Sequence, residues 1–177
     1  MKNKTIKQLV VNAMYIALLV VSSFISIPIN QIPYTLQTLV VFIILVNVDF
    51  KNSLIIFILY SIMGLIGLPV FSSFGSGITP TFGFIFGFVI SVFIYNLFNY
   101  IIKLNINKYK IVIVLFICLI IIDICGSLFF MMYLDYNFIE SITISVLPYI
   151  LFDIIKMIIA VIISNRLKKI EEKYDEV

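Results

Sequence analysis

The sequence predicts an all-α integral membrane protein of six transmembrane helices with both termini in the cytoplasm. Three observations carry that expectation. Of the 177 residues, 63% are hydrophobic and only 12% charged, with a mean hydropathy of +1.21, whereas soluble domains average about 45–50% apolar and about 25% charged residues. Apolar runs recur along the whole chain, and because a spanning helix takes roughly 20 residues the length holds six or seven crossings and no separate soluble domain. The basic residues, finally, fall on alternate connections between those runs. Residues 1–177 are therefore read as one membrane domain, with short cytoplasmic tails at about 1–8 and 166–177.

The first run, Leu9–Ile27, follows Lys2, Lys4 and Lys7. A basic start before an apolar run has the outline of a secretory signal, but this run exceeds the roughly 7–15 residues of a signal core and no small-x-small site follows it. It is read as a retained first span. The second and third, Thr35–Val48 and Ser53–Leu68, are short for full crossings and draw on their flanks, with a re-entrant second segment as the alternative. Phe82–Ile102, Ile111–Tyr133 and Val146–Asn165 complete the set. The mixed-sign stretch Arg166–Val177 reads as a solvated helical extension. Three-plus-three inverted repeats are compatible with this topology, but the two halves show no similarity in sequence.

Charge sets the orientation. Eleven of the twelve basic residues lie before span one, at Lys51, at Lys103, Lys108 and Lys110, or after span six. The positive-inside rule assigns those segments to the cytoplasm and puts the alternate connections outside. Two outer connections are unusual: Ser23–Leu39 and Gly64–Phe88 are rich in Pro and Gly, carry no charge and stay apolar. Irregular backbone near membrane depth is tolerated only where protein buries it or where it lines a cavity, so these breaks mark the first candidate binding region.

The twelfth basic residue, Lys156, lies inside span six, three residues after Asp153. A charge at mid-helix costs on the order of 2.5–3.5 kcal/mol on insertion scales, and such residues face a bundle interior or a water-filled cavity. Spacing of i, i+3 puts the two on one face, about one and two turns below Pro148, a residue suited to the first turn of a helix entered from outside. A buried pair that only neutralises itself is often no better than apolar packing, which favours a functional role. Asp123 in span five is a second intramembrane carboxylate with no basic residue at i±3 or i±4; it either contacts Lys156 across helices or stays protonated in an apolar environment.

Other chemistries find little support. Histidine is absent, and an intramembrane enzyme acting on lipid precursors would need clustered carboxylates or histidines for metal or acid–base work. Cys118 and Cys125 lie seven residues apart on one expected helix, roughly 10 Å along its axis, too far for a mutual disulfide. They read as small buried hydrophobes. No G-x-x-x-x-G-K-[ST] phosphate loop occurs, and topology already accounts for the net charge of +3, so neither ATP hydrolysis nor nucleic-acid binding is expected of this chain. No metal or cofactor is expected either.

Four blocks in order carry a family pattern: Ile27-Pro28 with Pro33-Tyr34-Thr35-Leu36-Gln37-Thr38, Gly64-Leu65-Ile66-Gly67-Leu68-Pro69-Val70-Phe71, Pro80-Thr81-Phe82-Gly83-Phe84-Ile85-Phe86-Gly87-Phe88, and Asp153-Ile154-Ile155-Lys156. Together they resemble the BioY family, the biotin-binding S components of energy-coupling factor (ECF) transporters. The resemblance implies high-affinity capture of biotin from outside and docking onto a transmembrane coupling protein with two cytoplasmic ATP-binding subunits. A related S component for another small vitamin is the alternative. The chain departs from the family pattern in a shorter outer loop at Ser72–Thr79 and in Gly126-Ser127-Leu128-Phe129-Phe130, where a Gly-Thr-Leu-Trp type sequence is usual.

Biotin presents two ureido N–H donors, a carbonyl, an apolar thioether ring and a carboxylate. Asp153 suits the N–H donors, since charge-assisted bonds are roughly twice as strong as neutral ones. Lys156 either holds Asp153 ionised while donating to the ureido oxygen or pairs the ligand carboxylate. Phe71, Phe74 and Phe84 are candidates to pack on the thioether ring, and Thr81 and Gln37 either bond the ligand or fix their loops. The resemblance implies a gate at Pro33, Tyr34 and Thr35, with Pro28 and the Ser72–Gly77 stretch contributing to a lid. Ala13 and Ala17 form a small-x-x-x-small face that allows close helix approach. In S components such a face meets the coupling protein; packing inside the bundle is the other reading.

Overall fold

The structure, a computed structural model, describes residues 2–29, 32–102 and 108–175; Lys103, counted above for topology, and tail positions 1, 176 and 177 lie outside the described residues. Among the described residues seven α-helices and one β-hairpin follow in order: α1 (Lys2–Phe24), β1 (Ser26–Ile29), β2 (Ile32–Thr35), α2 (Gln37–Asn47), α3 (Phe50–Leu65), α4 (Phe82–Ile102), α5 (Lys108–Leu134), α6 (Phe138–Ser145) and α7 (Ile150–Asp175). Within these, Ile6–Phe24, α4 and α5 are long and apolar enough to cross a membrane, and α6 with α7 forms a pair bent by 54° that also qualifies.

Several boundaries differ from the sequence reading. The first helix stops at Phe24, not Ile27, because the chain turns there into an antiparallel ribbon with Ser26 opposite Thr35, Ile27 opposite Tyr34 and Pro28 opposite Pro33. A proline lacks the N–H that a sheet interior needs, but each strand of a two-stranded ribbon keeps an outer edge where none is required. The expected second span, Thr35–Val48, gives only the eleven residues of α2, roughly 16 Å at 1.5 Å per residue. The expected sixth span begins late, at Ile150, after the separate helix α6, and Pro148 precedes it instead of sitting in its first turn.

The short helix α2 is the centre of the bundle. Val40, Val41, Phe42, Ile43, Ile44 and Leu45 are all buried, as expected of a helix that is apolar all round, and α7 and α1 pack against it. Asn47 ties its C-terminal end to α7, donating from Nδ2 to Ser164 Oγ at 2.7 Å. The most extensive helix–helix contact among the described residues is that of α4 with α5. A Cβ on Gly83 or Gly87 would collide with Phe129 or with the Ile122 backbone, and one on Gly126 would occupy the Phe84 ring. The Gly83-x-x-x-Gly87 spacing brings the two backbones together as small residues do in membranes.

The second break is held as firmly as a helix end. Phe71 is fully buried with its ring over Gly64, where a Cβ would overlap it. The Val70 carbonyl accepts from Tyr60 Oη at 2.9 Å and from Ser23 Oγ at 2.8 Å. A 3-10 turn follows at Ser72–Phe74, with positive φ at Ser73 and Phe74. Irregular backbone at this depth is thus satisfied by side chains from α1 and α3, as a low-dielectric surrounding demands.

Candidate functional site

Among the described residues, the buried charges meet the first turn of α2. Thr38 lies in the first turn of that helix, and Asp153 lies one turn into α7, its N–H bonded to the Tyr149 carbonyl at 2.9 Å. Thr38 donates from Oγ to Asp153 Oδ1 at 2.8 Å. Lys156 donates to the same Oδ1 at 2.7 Å and to Thr38 Oγ at 2.7 Å. Its third bond, 2.8 Å, goes to the Thr35 carbonyl in β2, and its Nζ sits 4.1 Å from the centre of the Tyr34 ring. An ammonium has three donors, so every N–H of Lys156 is occupied.

Both charges are buried, their side chains 5% and 10% exposed for lysine and aspartate respectively. Each makes at least one further hydrogen bond, Lys156 to Thr35 and Thr38 and Asp153 from Thr38, which helps a buried pair hold together. The two bonds to Asp153 fall on Oδ1; among the described residues Oδ2 accepts none. The hairpin closes over this cluster. Tyr149 donates from its hydroxyl to the Ile32 carbonyl at 2.6 Å, Tyr34 stacks on Tyr149 with 6.2 Å between ring centres, and Phe152 packs beside it at 5.2 Å.

A cavity lies beneath the hairpin. It is walled by Ile32, Pro33, Tyr34 and Thr35, by Gln37 and Thr38 of α2, by Ser72 and Thr81, by Phe84, Ile85 and Phe88 of α4, by Asp123 of α5, by Ser145 and Tyr149, and by Asp153 and Lys156. Apolar walls with a few convergent polar groups are the usual make-up of a small-molecule site.

Of the residues that the sequence offered as ligand-binding or gating, Asp153, Lys156, Thr81, Phe84, Gln37, Pro33, Tyr34 and Thr35 line this cavity, and of the expected lid Pro28 and Ser72–Gly77 only Ser72 does. Gln37 also fixes the fold, donating from Nε2 to Tyr60 Oη at 2.7 Å. Thr81 sits 3.1 Å from the Thr79 hydroxyl at the entry to α4. Two aromatic candidates fall elsewhere: Phe71 is core, and Phe74 is exposed and stacks on Phe24. Ala13 and Ala17 are exposed on α1 beside exposed Val10, Met14, Leu18 and Val21, which removes packing inside the bundle as their role.

Sequence reasoning missed Thr38, Tyr149 and Ser145 as wall residues. Thr38 carried a signal, a hydroxyl beside Gln37 at the start of an otherwise apolar helix. Tyr149 and Ser145 carried little, because the break between α6 and α7 was not foreseen.

Comparison with known proteins places this geometry. The BioY family model matches residues 1–173. The biotin transporter BioY of Thermotoga maritima is 29% identical over 176 residues, covering 93% of this chain and 98% of its own. The probable biotin transporter BioY of Pyrococcus horikoshii is 31% identical over 166 residues, covering 92% and 96%. Among solved structures, the S-component for biotin from an ECF-type ABC transporter superimposes with a TM-score of 0.85 over 96% of this chain and 94% of its own, at 24% identity. That likeness establishes the fold.

Proposed function

The chain belongs to the BioY family, and on that premise we propose that it captures biotin in the cavity beneath the hairpin, as the substrate-binding subunit of an ECF-type importer. The observation that carries this reading is the buried Thr38–Asp153–Lys156 triangle, which leaves one carboxylate oxygen without a bond among the described residues in the wall of a largely apolar pocket. Asp153 accepts a ureido N–H through Oδ2. Phe84, Ile85 and Phe88 receive the thioether ring and chain. Thr81 and Gln37 contribute neutral hydrogen bonds near the mouth.

Lys156 acts in two ways. It bonds Asp153 directly, and it fastens β2 to α7 through the Thr35 carbonyl. Pro33, Tyr34 and Thr35 therefore form a gate tied to the same lysine that orders the ligand's acceptor. Filling the pocket and closing the hairpin become one event, since a ligand that braces Asp153 also braces the lysine behind the gate. Affinity in the nanomolar range needs about −12 kcal/mol, and several such contacts must act together to reach it.

The chain works as a single membrane domain with six crossings and both termini in the cytoplasm. In that arrangement α2 with the hairpin makes the second crossing and α3 the third, the helices themselves, of 11 and 16 residues, being shorter than the roughly 20 residues of an ordinary span. The hairpin end, with the cavity, faces outward, and the lysine-bearing connections face inward. Exposed Ala13 and Ala17 present a close-approach face to the transmembrane coupling protein, while two ATP-binding partner subunits supply the energy. This chain needs no cofactor and catalyses no reaction of its own.

Calorimetric titration of the detergent-solubilised chain with biotin tests the proposal, using Asp153→Asn and Lys156→Ala beside the wild type. Nanomolar binding by the wild type and a loss of at least a hundredfold in either variant is expected. A folded wild type that ignores biotin but binds another small vitamin would redirect the substrate assignment.

A further inference from the structure

A cyclic urea asks more of the pocket than Asp153 supplies. Its two N–H bonds point away from each other on either side of the carbonyl, so one carboxylate oxygen cannot take both. Most other polar groups of the wall are already engaged. Lys156 has spent its three donors, Thr81 pairs with Thr79, Ser145 lies 3.1 Å from Ser127, and the Tyr149 hydroxyl bonds the Ile32 carbonyl.

Asp123 is different. It lines the same cavity but comes from α5, on the stripe with buried Leu119, Ile122, Gly126 and Ser127 that i, i+3 and i+4 spacing turns toward the bundle. Its main-chain carbonyl accepts from Ser127 Oγ at 2.7 Å. Its carboxylate makes no hydrogen bond or ion pair among the described residues. An ionisable side chain at this depth is expensive and marks a ligand or ion pathway. A carboxylate in a pocket wall with no donor of its own is therefore an acceptor awaiting a ligand's N–H.

We propose that Asp123 is the second ureido acceptor of the pocket, so that Asp153 and Asp123 each take one of two divergent N–H donors and together select ligands that carry both. This rests on the biotin reading above and adds a specificity residue to it. Replacement of either N–H in the ligand then removes one carboxylate's contact and leaves the other intact.

The test compares wild type, Asp123→Leu and Asp123→Asn in detergent, titrated with biotin and with two analogues, each methylated at one ureido nitrogen. Asp123→Leu is expected to weaken biotin binding at least tenfold, the scale of a hydrogen bond to a charged group. It should also raise the unfolding temperature of the ligand-free protein, because an unpartnered carboxylate leaves the membrane interior. For one methylated analogue the substitution should cost nothing further, and for the other it should cost the full tenfold. Asp123→Asn keeps the size and an amide oxygen that still accepts but loses the charge, so if the leucine variant does not fold it should show a smaller loss, more than twofold, in the same pattern across the two analogues. Biotin affinity within twofold of wild type in both variants, or the same tenfold loss for both analogues, would overturn the proposal while leaving Asp153 as the biotin acceptor. A folded wild type that fails to bind biotin would instead bring down the pocket reading and this proposal with it.

Discussion

Lys156 reaches back 121 residues to place its ammonium 2.8 Å from the main-chain carbonyl of Thr35. That single bond joins the hairpin over the cavity to the helix that carries Asp153. Because the same nitrogen also bonds Asp153 Oδ1 and Thr38 Oγ, the carboxylate in the pocket wall, the central helix and the hairpin share one cation.

Removing that cation should be costly twice over. Lys156→Ala leaves the Asp153 carboxylate buried beside a neutral hydroxyl, a change that typically costs about 3–5 kcal/mol, and it unfastens β2. The expected result is a large fall in the detergent unfolding temperature together with loss of biotin binding. The double variant Asp153→Asn, Lys156→Met removes both charges and should recover most of the stability but none of the binding. Thermal unfolding and titration on the same samples separate the two effects.

The hairpin has a second fastening, from the Tyr149 hydroxyl to the Ile32 carbonyl at 2.6 Å. Tyr149→Phe deletes that bond and keeps the stack on Tyr34. A buried hydrogen bond contributes about 0.5–1.5 kcal/mol net, so biotin should dissociate several-fold faster with little change in its association rate. Stopped-flow displacement of labelled biotin measures both.

Phe84 has its place in the cavity wall because Gly126 offers no side chain where its ring lies. Gly126→Ala puts a methyl into that ring. Overpacking of this kind costs typically about 1–3 kcal/mol, and the ring's natural escape is toward the cavity. The variant should bind biotin more weakly in proportion to its loss of stability, a correlation checked by titration against the unfolding midpoint.

Ala13 and Ala17 lie on α1 away from the cavity and exposed. Ala13→Leu with Ala17→Leu should leave biotin affinity unchanged and abolish uptake in cells that supply the partner subunits. Unaltered uptake by the double variant would show that another face of the chain meets the coupling protein.

Much of this site can be read directly from the amino-acid sequence. Asp153 and Lys156 are the charges that a membrane helix should not contain without reason, and their i, i+3 spacing alone places them on one face. The uncharged breaks marked where the cavity lies, because backbone polar groups at that depth must be satisfied by something. Other features were hidden for physical reasons. Pro28 and Pro33 argue against strand structure, and only the pairing of two outer edges makes a ribbon of them. Phe71 and Phe74 sit in the same break and look alike in sequence, yet Gly64 gives one of them a slot in the core while Phe24 holds the other at the surface. The separate helix α6 begins with a capping box between Asn137 and Glu140, a local signal that could have been found and that shifts the start of the last long helix.

The most direct test is a crystal structure of the chain with biotin bound. The expected result is a ureido ring beneath the hairpin, one nitrogen within hydrogen-bond distance of Asp153 Oδ2 and the other of Asp123, with Lys156 still on the Thr35 carbonyl. Biotin bound outside this cavity, or inside it with neither carboxylate in contact with the ureido ring, would contradict the assignment.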